Sequence, residues 1–343
     1  MLWTEAPSFG RDGGHTLRIG DQVLWIFGDT FTPSGLLSST AAWSRLSDPQ
    51  NLIESIDGTG LPLQFLPYTS VEIEFNNDHV DVPDCCSLRA GCAADQPYCN
   101  CPANTDCAER IALWPGDGVA TGDDSGRVYY EKFVIGAAPY DFRRVGVGLA
   151  DVQAGARTAV RELDSDGSPR LIFGANDPGF ARGLAVQEDL RRFYLYASVN
   201  RHQCAVDVLV GRVEATALTQ RSSYEFWDGS GWQPALDRAA PILEQIPGGL
   251  GSVTWNTYLE RYLSGWSDLC TGGRTFVLRT AARPEGPWSG PLTVDLGSVG
   301  ASRDAYYGLL HPEFGSGRSL LLSFFQPVED VYGQIRVARL RLD

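Results

Sequence analysis

One hairpin type recurs five times along this chain. A first strand with small and polar residues reaches a tight turn and returns as an aromatic-rich strand. The copies are HTLRIGDQVLWIFGD, GVATGDDSGRVYYEKFVIG, GLAVQEDLRRFYLYAS, SVTWNTYLERYLSGWS and GLLHPEFGSGRSLLLSFF. A third strand follows each, in order AAWSRL, RRVGVGLADV, AVDVLVGRV, RTFVLRTA and QIRVARLRL. An outer strand follows in the first four. Helical periodicity is almost absent, and short Val, Ile, Tyr, Phe, Trp and Leu runs alternate with turn signals, which is an all-β pattern. Five units of roughly 60 residues predict a five-bladed β-propeller, with residues 1–343 forming one domain. A β-sandwich or jelly roll is the alternative. The last unit ends at the C-terminus without an outer strand, so the segment around Leu2 to Glu5 is expected to complete it and close the ring.

At 343 residues the chain is long for one domain, but a large all-β fold uses such lengths, and a 43% hydrophobic fraction suffices for a large core. A net charge of −14 argues against binding a nucleic-acid backbone and fits a neutral substrate. No run of about 18 apolar residues predicts a membrane span. No signal peptide is present, and Met1, the only methionine, directly precedes strand-like sequence, as after removal of a leader. Cysteines point to the compartment. Six of the eight, Cys85, Cys86, Cys92, Cys99, Cys101 and Cys107, fall in a Pro-, Asn- and Asp-containing insertion over residues 76–110. Such a loop cannot build its own core and needs cross-links. The cluster lacks two clean C-x2-C pairs and contains no histidine, which favours disulfides over zinc. A secreted or cell-surface protein, monomeric and without a membrane partner, is expected.

In a propeller the first strands line a central channel, and the segments entering first strands and leaving second strands share one face. Asp12, Asp29 and the Cys-rich insertion fall on that face. Cys204 and Cys270 follow the second strands of neighbouring blades, which predicts a Cys204–Cys270 disulfide. In RDGGHTLRIGDQVLWIFGDTF, Gly20-Asp21 suits a two-residue turn. Positions equidistant from it pair, which sets Asp12 opposite Asp29; a bulge at Gly13-Gly14 would shift this register. Opposed like charges are unfavourable in a structural strand pair, but they suit a site that needs two carboxylates in different protonation states. The competing reading makes Asp29 a turn cap and Asp12 a loop residue.

Paired carboxylates are the apparatus of glycoside hydrolysis, and cross-strand spacing favours the close, retaining arrangement. Trp114, Trp255, Trp266, Tyr306 and Tyr307 fall near the same face as flat platforms for a sugar ring, with inter-blade packing the alternative for each. His15, Asn256 and His311 supply hydrogen bonds to hydroxyls, with the buried core as the alternative for the histidines. Asp117 is the replacement acid if Asp12 or Asp29 is structural, and Glu188 reads as solvated. No cofactor is expected, although His311 could hold a structural ion in the channel. His15, His79, His202 and His311 have no metal-ligand spacing, and no G-x-S-x-G or H-E-x-x-H motif occurs. GANDPGFARG matches no phosphate loop, and ELDSDGS is too short for a calcium loop.

The opening segment, with its W-x-F-G-D-T element, resembles the signature of the bacterial family called domain of unknown function 4185. Part of that family is classed as glycoside hydrolase family 183, the endo-D-arabinanases. SVTWNTYLERYLSGWS and AYYGLLHPEFGSGRSLLLSFFQP resemble its later blades. The likeness spans nearly the whole chain and is weakest over residues 76–110. It implies a five-bladed propeller cleaving internal α-D-arabinofuranosyl linkages, as in mycobacterial arabinogalactan and lipoarabinomannan. Its two catalytic aspartates match Asp12 and Asp29. The Cys-rich insertion departs from the pattern and bears on substrate length and identity. The other expectations are a non-catalytic sugar-binding propeller, and a propeller glycosidase for another furanoside or a fucoside.

Overall fold

The structure is a computed structural model that describes residues 3–4, 10–33, 35–80, 109–136, 141–186, 192–202, 204–268, 273–329 and 332–343. Five sheets follow one another along the chain as the blades of a propeller. Their inner strands are Gly10–Ile19, Arg110–Ala120, Arg182–Val186, Ser252–Asn256 and Tyr306–Leu310. The second strands, Gln22–Thr32, Ser125–Ile135, Arg192–His202, Arg261–Ser267 and Ser319–Glu329, return antiparallel to them. The third strands are Thr40–Arg45, Phe142–Gln153, Ala205–Glu214, Thr275–Ala281 and Tyr332–Arg341. These are the five hairpins and five following strands anticipated from the repeat.

The aromatic richness of the second strands follows from burial on both faces. Leu24 and Ile26 pack toward blade two, while Val23, Trp25 and Phe27 pack toward blade five. Val128 and Tyr130 face blade one, and Tyr129 faces blade three. Phe193 and Leu195 alternate in the same way with Tyr194 and Tyr196. A period of two sorts successive side chains into successive inter-blade cores. Each of the five blade junctions thereby has its own apolar cluster.

Ring closure differs from the expectation. Trp3–Thr4 pairs in parallel with Asp48–Glu54, on the outer edge of blade one. Among the described residues blade five has three strands. Closure is made by side chains instead: Val23, Trp25 and Phe27 of blade one pack with Phe325 and Ile335 of blade five.

A helix, Ser70–Val80, also departs from the all-β reading. It precedes the Cys-rich segment and lacks an apolar stripe, so periodicity could not reveal it. A capping box starts it: Glu72 N–H donates to Thr69 Oγ1 (3.3 Å), and Thr69 N–H donates to Glu72 Oε2 (2.9 Å). The Glu72 carboxylate then anchors the helix to blade two through Arg161 and Lys132. Burial opposes its charge, but these partners hold its pKa down at about 2. Cys85, Cys86, Cys92, Cys99, Cys101, Cys107, Cys270 and Glu188 lie outside the described residues. Cys204 is disulfide-bonded.

Candidate active site

The opening hairpin builds the first part of the site. Its turn is at Gly20-Asp21, and the expected register runs from Ile19↔Gln22 to His15↔Ile26. One extra residue then enters the inner strand at Gly13-Gly14, giving Gly13↔Phe27. An extra residue on the second strand restores the register at Arg11↔Thr30. Asp12 and Asp29 therefore lie within a double bulge and are not direct cross-strand partners, which corrects the simple pairing. Their side chains still converge. The Asp12 carboxylate lies over Gly28, where any side chain would collide with it, and it accepts a hydrogen bond from the Asp29 main chain.

The same irregularity recurs around the ring. One extra residue enters the inner strand between Pro115 and Gly118, between Arg182 and Ala185, and between Tyr306 and Leu309. Blade four alone among the five pairs without a shift along Ser252–Asn256. Bulges re-aim side chains beside functional sites. Here the bulged segments carry Asp12, Asp117, Arg182 and Tyr307, and in each case the next residue is glycine. That dipeptide is a signal by which sequence reasoning could have found Arg182, which it missed.

Electrostatics separate the two aspartates. Burial, and then the neighbouring Asp29 charge, push the Asp12 pKa up to about 7, against opposing help from Tyr306 and Arg182. Tyr306 Oη donates to Asp12 Oδ2 at 3.1 Å. Burial and the Asp12 charge raise the Tyr306 pKa, which keeps the phenol a proton donor. Asp29 is also raised by burial, but two donors oppose this: Arg110 Nη2 at 3.0 Å from Oδ2 and Trp114 Nε1 at 3.0 Å from Oδ1. Asp12 has a phenol donor and a charged neighbour of its own sign, whereas Asp29 has a guanidinium and an indole.

Behind this pair runs a second chain of hydrogen bonds. His15 Nδ1 meets Asp117 Oδ1, and His15 Nε2 meets Tyr307 Oη at 3.0 Å. Asp117 Oδ2 accepts the Leu184 N–H at 2.8 Å, tying blades one, two, three and five together. Tyr307 has a left-handed backbone, φ 58°, at its bulge. A cleft of about 680 Å³ opens beside these residues, lined by Trp114, Phe133 and Phe142 on blade two and by Tyr307 on blade five. Glu131, Arg144 and Arg182 supply its charged side chains.

Other residues singled out from the sequence sit elsewhere. Trp266 is 1% exposed in the core between blades three and four, so it is no sugar platform. Asn256 is buried at the opposite end of its strand, where its Oδ1 accepts the Tyr258 and Leu259 N–H groups and shapes the turn. Trp255 packs edge-on against Tyr262 beside that same turn. His311 is buried in the channel against Trp25, bonded to Thr16 Oγ1 and Ser323 Oγ, and burial drops its pKa to about 3. His15 is buried too and reaches the site through Tyr307. Among the described residues no group of His, Cys, Asp and Glu is placed to hold a metal ion. No helix among them is long and apolar enough to cross a membrane.

The profile of the family described as domain of unknown function 4185 matches residues 156–332, about half of the chain. The chain belongs to the DUF4185 family. The matched span covers blades three and four and most of blade five, and leaves out the opening hairpin. None of the curated proteins matches the chain. Solved structures share its fold at low identity. A candidate hydrolase from Bacteroides ovatus ATCC 8483 aligns at TM-score 0.57 with 14% identity, covering 94% of this chain and 81% of that one. The GH43_1 enzyme from Xanthomonas citri aligns at 0.54 with 12% identity, covering 98% and 89%; a second structure of it holds xylotriose. The exo-β-1,3-galactanase of Phanerochaete chrysosporium, with β-1,3-galactotriose, aligns at 0.53 with 12% identity, covering 100% of this chain and 63% of that one.

Proposed function

We propose that this protein is a secreted glycoside hydrolase that cleaves internal α-D-arabinofuranosyl linkages in an arabinan of the mycobacterial arabinogalactan or lipoarabinomannan type. The observation that carries the reading is the pair Asp12 and Asp29, coupled by charge yet held in different surroundings at the mouth of the ring. Family membership, the fold shared with glycoside hydrolases that bind oligosaccharides, and the likeness of the opening segment to the endo-D-arabinanases support it. Export is supported by the disulfide at Cys204 and by the cysteine-rich segment.

In this reading Asp12, protonated near neutral pH, is the acid/base, and Asp29, whose charged form Arg110 and Trp114 support against burial, is the nucleophile. Asp29 attacks the anomeric carbon as the glycosidic C–O bond breaks, and the Asp12 proton goes to the departing oxygen. Asp12, now ionised, takes a proton from water, whose oxygen displaces Asp29 from the anomeric carbon. The charge interaction between the two carboxyl groups, with Asp12 seated over Gly28, supports this retaining course. Trp114 and the neighbouring aromatic wall would bear the apolar face of a furanose ring.

The test is incubation of wild type, Asp12→Asn and Asp29→Asn with mycobacterial arabinogalactan, with the products separated on a sugar gel. Oligosaccharides from wild type and from neither variant are expected. A wild type that binds the polymer but leaves it intact would identify a sugar-binding propeller instead, and release from another furanoside alone would move the specificity.

A further inference from the structure

We propose that Arg182 is a substrate-binding residue of this site, its guanidinium fork gripping neighbouring oxygens of the sugar bound in the cleft. The inference rests on the glycosidase reading above and adds a residue and a mode of recognition to it. Four bulged inner strands each deliver one polar side chain followed by glycine. Three of the four side chains are already engaged. Asp12 is bonded to Tyr306, Asp117 to His15 and the Leu184 N–H, and Tyr307 to His15. Arg182 is the fourth, on blade three.

Its surroundings leave it available. Arg182 Nε lies 3.5 Å from Glu131 Oε2, an ion pair beyond ordinary hydrogen-bond length, and the side chain is 34% exposed. The guanidinium sits 5.0 Å from the centre of the Tyr307 ring. Asp117 adds its negative field to that of Glu131. Charge thus holds the group in place without using up its five N–H donors. Arg144, the other arginine of the cleft, spends one Nη on the Asp177 carbonyl. Gly183 makes the placement possible: its φ of 68° completes the bulge, and a Cβ there would stand 3.1 Å from Leu250. A planar fork of parallel donors fits two oxygens at once, which a lysine ammonium does not reproduce. The ligand chemistry is the neutral furanoside of the glycosidase reading, whose hydroxyl oxygens are acceptors for the fork.

The experiment compares wild type, Arg182→Lys and Arg182→Gln on the D-arabinan of mycobacterial arabinogalactan, reading kcat and KM separately across pH, with melting temperatures to confirm folding. The same substitutions in an Asp29→Asn background are assayed for binding to that polymer. We expect both variants to raise KM by about tenfold with kcat changed far less. Arg182→Lys keeps the wild-type pH profile, and binding in the Asp29→Asn background weakens by a similar factor. A lysine variant with wild-type KM, or binding that Arg182→Gln leaves unchanged, overturns the inference while the glycosidase reading stands. A wild type that neither cleaves nor binds the arabinan overturns both.

Discussion

The chemistry of this site turns on two carboxyl groups of one kind made unlike by their neighbours. Tyr306 donates to ionised Asp12, so Tyr306→Phe withdraws support from the charged form and raises the Asp12 pKa further. The alkaline limb of kcat/KM, set by loss of the Asp12 proton near pH 7, then moves to higher pH, and activity at its optimum falls about tenfold. An unmoved alkaline limb would remove Asp12 from the role of acid. Stability carries the opposite mark of the same shift. The folded state holds the Asp12 proton up to about pH 7, whereas the unfolded chain releases it near 3.8. Wild type therefore loses stability relative to Asp12→Asn as pH rises through that window. The two unfold at similar urea concentrations near pH 4, and above pH 7 the variant is the more stable by roughly 1–3 kcal/mol.

Among the elements, the bulged inner strand is the working unit. A regular ladder would send successive side chains alternately into the two inter-blade cores. An inserted residue breaks that alternation and turns Asp117, Arg182 or Tyr307 toward the mouth of the ring. The double bulge of blade one does this for both aspartates and leaves room above Gly28 for the Asp12 carboxylate. Gly28→Ala places a methyl group in that room. We expect kcat to fall about a hundredfold through displacement of Asp12, while the melting temperature changes by only a few degrees. Kinetics and differential scanning calorimetry on one preparation check this; an active Gly28→Ala would mean that Asp12 works from another position.

At the scale of the whole molecule, the ring is held shut by side-chain contact. The short Trp3–Thr4 strand lies on blade one, so among the described residues blades one and five share no sheet and meet through side chains: the apolar packing of their faces and the hydrogen bonds of Tyr306 to Asp12, Tyr307 to His15 and His311 to Thr16. Ile335, 6% exposed, fills that junction beside Phe325. Ile335→Ala should cost about 2–4 kcal/mol in urea unfolding, with kcat nearly unchanged below the transition, because Ile335 touches the core and not the cleft. A cost well under 1 kcal/mol would place the closure elsewhere.

The five hairpins, their turns and the run of aromatic second strands are local properties, and the amino-acid order alone determined them: Gly20-Asp21 makes its turn and Leu24 to Phe27 pack on both faces whatever lies far away. The meeting of Asp12 and Asp29 was also legible, because only a short hairpin separates them. Trp266 and Trp114 show where that legibility stops. Both are tryptophans on blade strands, yet one is core and the other bonds Asp29, since inward or outward placement depends on which blade packs alongside. The helix after Thr69 announced itself only through a capping box, for a segment held by Glu72 ion pairs needs no apolar period. Arg110, Glu131, Arg182 and the choice of blade for Trp3–Thr4 were decided by tertiary structure. Their partners lie one blade or more away, and no local pattern encodes which surfaces a closed ring brings into contact.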